Sequence, residues 1–136
     1  MGVIMRVLFL SFAFLLASCS SSEVKDAAFA EVDRFHERYN AEDFAAILAD
    51  ADPEFSQDDT QSLEFFTAIR EKFGAYQSSA EPNWKVNYHT AGNRVFLVYQ
   101  SEFENGAVTE EFTFSFSGEE VALYGYHVNS PLLVSQ

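Results

Sequence analysis

Positive charge is scarce in this sequence. Its 136 residues hold 8 Lys and Arg against 21 Asp and Glu, a formal net charge of −13 at pH 7. Nucleic acids are gripped chiefly through cationic contacts to phosphate, so this polyanion is excluded as a nucleic-acid binder. Cysteine is scarcer still: Cys19 stands alone, with no internal disulfide partner and no paired-thiol motif. Long apolar runs are missing too. The longest, residues 7–17 (VLFLSFAFLLA), has 11 residues where a membrane-spanning helix needs about 20. There is no glycine-rich phosphate loop, no nucleophile elbow and no zinc-protease motif, since His36-Glu37 lacks the second histidine. Neither a cofactor nor a metal is implied.

What the chain does have is aromatic mass. It carries 15 Phe, 6 Tyr and 1 Trp, and only Phe9, Phe12 and Phe14 precede the cysteine. The rest can fill a core built from few elements, or line a cavity. The length allows one domain, and 48% hydrophobic with 21% charged residues is a globular composition.

The first 18 residues have the parts of an export signal: a start carrying Arg6, the apolar run, then small residues. Leu16-Ala17-Ser18-Cys19 resembles the lipobox of bacterial lipoproteins. The resemblance implies cleavage before Cys19, a diacylglycerol thioether on its sulfur and acylation of the new amino terminus. Two or three acyl chains anchor stably where one does not. Ser20 in place of aspartate implies the outer membrane of a Gram-negative envelope, facing the periplasm. An ordinary cleavage site that leaves a free thiol, or an uncleaved helix, are the competing readings. The chain divides into a signal peptide (1–18), a polar tether (19–25) and one domain (26–136).

Three helices are expected. The first, from about residue 22 to 40, presents Ala28, Val32, Phe35 and Tyr39 on one face. The second carries Phe44, Ile47 and Leu48 and stops before Pro53, and the third buries Phe66, Ile69 and Phe73 and stops at Gly74. His36 falls beside the first stripe and reads as surface or helix-dipole chemistry.

Residues 94–117 dominate the second half. Two β-branched and aromatic runs flank Asn105-Gly106, a two-residue hairpin signal. That turn sets Phe103 opposite Val108, Ser101 opposite Glu110 and Tyr99 opposite Phe112, all on one face. Weaker turns at Gly92-Asn93 and Gly118-Glu119 add strands at 84–91 and 120–129, with His89 pointing outward on the edge. The fold expected is α+β, three N-terminal helices packed on a four-stranded antiparallel meander.

Carried across all turns, this register lines up Trp84, Ser101, Glu110 and His127 in one polar row on an otherwise apolar face. A carboxylate beside an imidazole there can be a structural pair, the mouth of a ligand-binding site, or a general acid–base couple. No hydrolase triad results, because Glu110 rather than the histidine sits in the middle. One Glu and one His also fall short of a zinc site. The outer face offers Phe96, Val98, Tyr124 and Tyr126 as a mixed patch for a protein partner or a second copy.

The order of elements resembles nuclear transport factor 2-like and cystatin-like domains, in which helices sit in the concavity of a curved sheet. Three stretches, 66–75 (FTAIREKFGA), 95–114 and 124–128 (YGYHV), are similar to small bacterial lipoproteins grouped as domain of unknown function 4019. The matching elements are Arg70 and Gly74, Phe103, Glu110 or Glu111, and Gly125-Tyr126; the first helix departs, with Phe35-His36 and Tyr39 where a tryptophan-led pattern belongs. That family implies a fold and an address, and no catalytic residues to transfer. The function expected is a lipid-anchored periplasmic module that binds a ligand or partner without catalysis. One alternative is an isomerase- or dehydratase-like enzyme using Glu110 and His127 in an apolar cone. Another is an envelope assembly subunit acting through the outer sheet face.

Overall fold

A computed structural model describes residues 20–134. The expected signal peptide, Cys19 and the proposed lipid site lie outside the described residues. Three helices come first: α1 (Ser21–Asn40), α2 (Phe44–Asp50) and α3 (Asp59–Phe73). Five strands follow: β1 (Tyr76–Ser79), β2 (Asn83–Asn87), β3 (Asn93–Phe103), β4 (Gly106–Ser117) and β5 (Glu120–Asn129), with a closing 3-10 turn at Pro131–Leu133. The architecture is α+β, helices packed on an antiparallel sheet ordered β1-β3-β4-β5, with β2 also paired to β3.

The tether expected over residues 19–25 is absent from the described part. Ser20 caps α1 through its hydroxyl, which accepts from the Glu23 amide at 3.3 Å, the S-x-x-E spacing of a capping box. Val24, one turn in, is already fully buried. The remaining face of α1 buries Ala28, Val32, Phe35, His36 and Tyr39. His36 belongs there because Ala28, Val32 and His36 are successive i+4 neighbours, which widens the stripe beyond the four residues expected.

The first expected strand is split in two. β1 pairs with the far end of β3 (Ser79 opposite Ser101) and β2 with the near end (Val86 opposite Val95), so one edge of β3 carries two short strands around Pro82. Proline has no amide to donate, and it interrupts the edge where pairing can be spared. The turn expected at Gly92-Asn93 is instead a five-residue connection, 88–92, so Tyr88 and Thr90 leave the sheet. His89 is exposed, on that loop rather than on a strand.

The central hairpin keeps its faces and changes its register. Phe103 pairs with Gly106 and Tyr99 with Glu110, a slip of two from the Asn105-Gly106 turn. Glu104 and Asn105 form the turn because the end of α3 holds them. Their amides donate to Ala75 and Phe73 carbonyls, at 2.9 and 3.0 Å. The Glu104 carboxylate accepts from the Ala75 amide at 2.7 Å, and Asn105 Nδ2 donates to the Lys72 carbonyl at 2.9 Å. Four hydrogen bonds at about 1 kcal/mol each outweigh a local turn preference. Gly74, at φ 76°, makes room: a Cβ there would stand 2.8 Å from Glu104 Cβ.

The last hairpin does the reverse. Its turn is where expected, Ser117 pairing with Glu120, and the ladder runs to Phe114 opposite Leu123. It then skips Tyr124, so that Thr113 meets Gly125 and Phe112 meets Tyr126. This bulge exchanges the faces of β5 beyond it. Tyr124 is held off the ladder by its hydroxyl, which donates to Glu54 at 2.6 Å, and by Arg94, 4.0 Å over its ring.

Candidate functional site

The helices press their aromatic stripe into the sheet, and one carboxylate lies between them. Glu110 is completely buried. β4 delivers it to the inner face between Val108 and Phe112, and three donors converge on it. Ser101 Oγ on β3 donates to Oε1 at 2.6 Å, and the Tyr126 hydroxyl on β5 donates to Oε2 at 2.6 Å. His36 Nε2 on α1 lies 2.9 Å from Oε1 and 3.2 Å from Oε2. An ionised carboxylate only accepts, so these groups satisfy it in an interior where an unpaired charge would be costly.

A second layer orients the first. Tyr76 on β1 stacks flat on His36, ring centroids 3.5 Å apart and 5° from parallel. Phe35 and Phe112 meet the imidazole edge-on, at 5.7 and 5.8 Å. Tyr76 is linked to Ser79, and Ser79 to Ser101, by hydroxyl contacts of 2.8 Å each. Each hydroxyl has one proton to give. Ser101 gives its proton to Glu110, so Ser79 donates to Ser101 and Tyr76 to Ser79. The chain of donors runs one way, ending on the carboxylate.

Burial, followed by the Glu110 charge and its hydrogen bond, holds the Tyr126 phenol well above its ordinary value of 10. Tyr76 is raised by burial, with Glu110 adding to the shift and the Ser79 hydrogen bond opposing it. Tyr39 and Tyr99 are also raised, burial again the largest cause. All four phenols stay neutral through the physiological range, and Tyr39, Tyr76 and Tyr126 serve as donors.

Of the expected polar row, only Ser101 and Glu110 come together. His127 is exposed, because the bulge at Tyr124 turns it outward, where it pairs with Glu111 across the ladder. Tyr126, expected on the outer patch, takes the inner position for the same reason. Trp84 does lie on the helix side of β2, but at the open edge, 44% exposed. Lys25 Nζ covers its ring at 5.4 Å. The outer patch therefore keeps Phe96, Val98 and Tyr124, with Tyr124 engaged by Arg94 and Glu54.

Two partners of Glu110, His36 and Tyr126, were not among the residues expected beside it. His36 was legible from its i+4 relation to Val32, whereas nothing local marks the bulge that brings in Tyr126. The arrangement is no nucleophilic triad: Glu110 separates Ser101 from His36, and Ser101 is itself buried. The carboxylate is wholly buried, and aromatic rings pack on one another around it. Phe35 packs on Tyr126 at 4.7 Å, on Phe112 at 5.1 Å and on Phe66 at 5.9 Å. Among the described residues, no group of three or more His, Cys, Asp or Glu is placed to hold a metal ion. No described helix is long and apolar enough to cross a membrane.

No family model, no curated protein and no solved structure matches the chain.

Proposed function

We propose that this chain is a lipid-anchored lipoprotein of the bacterial envelope that binds a ligand or partner through its surface and performs no chemistry at Glu110. What carries the reading is the closed interior: a carboxylate at 0% exposure with three donors in place. The isomerase- or dehydratase-like alternative needs a substrate where Phe35, Phe112 and Tyr126 already meet. The anchor rests on the Leu16-Ala17-Ser18-Cys19 lipobox. Ser20, immediately after it, supports the outer-membrane address. Kinship with nuclear transport factor 2-like or cystatin-like domains, and with the lipoproteins of domain of unknown function 4019, belongs to the same proposal. The helices-then-sheet order supports it.

Metabolic labelling with an alkyne fatty acid tests the anchor. The wild type is expected to carry label and to lose it in Cys19→Ser. Equal labelling of the two, or none in either, would sink the reading.

A further inference from the structure

The first turns of α1 stand beside a half-exposed aromatic edge formed by Trp84 and Tyr88. Tyr88 is 56% and Trp84 44% exposed, the two most exposed aromatic side chains described. The Tyr88 hydroxyl lies 3.3 Å from Ser21 Oγ, and its ring meets Phe116 edge-on at 5.6 Å. Trp84 lies under Lys25, whose Nζ is also 5.5 Å from the Phe29 ring. Lys25 has Asp26 as an ion-pair partner at 3.5 Å. Tyr88 thus meets the residue next to Ser20, the α1 cap, and Trp84 meets Lys25, five residues on.

Ser20, the first described residue, directly follows Cys19 in the sequence. Successive Cα atoms are about 3.8 Å apart, so a group on Cys19 lies one residue from the cap. Ser20 is committed to capping and Val24 to the core, so no slack separates them. Resting on the lipid anchor proposed above, we propose that the Trp84–Tyr88 edge lies in the headgroup layer of the bilayer holding that lipid, docking the domain in one orientation. Tryptophan and tyrosine suit that layer because each joins an apolar ring to a polar tip. Lys25 can extend its ammonium to a phosphate while its stem stays on the Trp84 ring. The contact is aromatic rather than ionic, so zwitterionic lipid suffices despite the chain's net charge of −13.

Trp84 is the chain's single tryptophan, so its fluorescence reports this site alone. The test takes full chain purified from membranes in its processed state. It is reconstituted into phosphatidylcholine vesicles with bromine on the acyl chains near the headgroup. Flotation reads the anchor and quenching reads the docking. The docked domain floats, its emission is quenched and shifted to shorter wavelength, and acrylamide reaches it less than in Cys19→Ser added to the same vesicles. Flotation with emission and acrylamide access equal to those of Cys19→Ser would overturn the docking while leaving the anchor standing. Failure to float would remove the anchor and the docking with it.

Discussion

The two hairpins of the sheet depart from their local signals in opposite ways. In β3–β4 the turn moved and the faces stayed; in β4–β5 the turn stayed and the faces changed. A slip of two residues is silent because side chains alternate with period two, so Glu110 and Ser101 remain inside together. An extra residue on one strand is not silent. Tyr124 inverts everything beyond it and delivers Tyr126, rather than His127, to the interior. The chemistry of the buried site depends on the second hairpin far more than on the first.

The largest effect expected comes from the point where both hairpins meet. Glu110→Ala leaves Ser101, Tyr126 and His36 without their acceptor and should lower unfolding free energy by about 3–5 kcal/mol. Urea titration followed by circular dichroism reads the loss, and an unchanged midpoint would remove Glu110 from the organisation of the core.

Tyr126→Phe deletes only the donor brought in by the bulge, at about 1.5–3 kcal/mol for a bond to a charged acceptor. It also carries a pH signature. The folded-state phenol is raised, so above pH 10 the unfolded chain loses this proton while the folded chain keeps it. Its contribution is complete below pH 10 and is lost as pH rises further, by about 1.4 kcal/mol per unit. Stability measured at pH 8 and again above pH 10 should fall less steeply in Tyr126→Phe than in the wild type. Equal slopes would place Tyr126 outside the buried network.

The first hairpin is sharpened by Gly74→Ala, which forces a Cβ toward Glu104 at a positive φ and should cost about 1–3 kcal/mol. If the α3 end does hold the turn, hydrogen exchange at the Glu104 and Asn105 amides should rise in the same variant. Exchange left as slow as in the wild type would mean that the turn holds itself.

Smallest of all is His127→Ala. An exposed side chain on the outer face should change stability by no more than about 0.5 kcal/mol. A loss as large as that of Tyr126→Phe would restore His127 to the interior and dissolve the contrast between the hairpins.

Much of this was determined by the sequence alone. The three helices announce themselves in the spacing of Ala28, Val32, Phe35 and Tyr39, of Phe44, Ile47 and Leu48, and of Phe66, Ile69 and Phe73. The inner faces of β3 and β4 follow from alternation, because alternation survives any even error in register. So the shared inner face of Glu110 and Ser101 was readable from alternation alone. Tertiary structure decided what else reaches that carboxylate. The Glu104-Asn105 turn is chosen by carbonyls at the end of α3, the bulge is held by Glu54 and Arg94, and Tyr76 arrives on a four-residue strand too short and polar to read. Each of these depends on atoms distant along the chain, and a local pattern carries no record of them. The imidazole expected from β5 comes instead from α1, because one unpaired tyrosine turned His127 to solvent while the helix turned His36 inward.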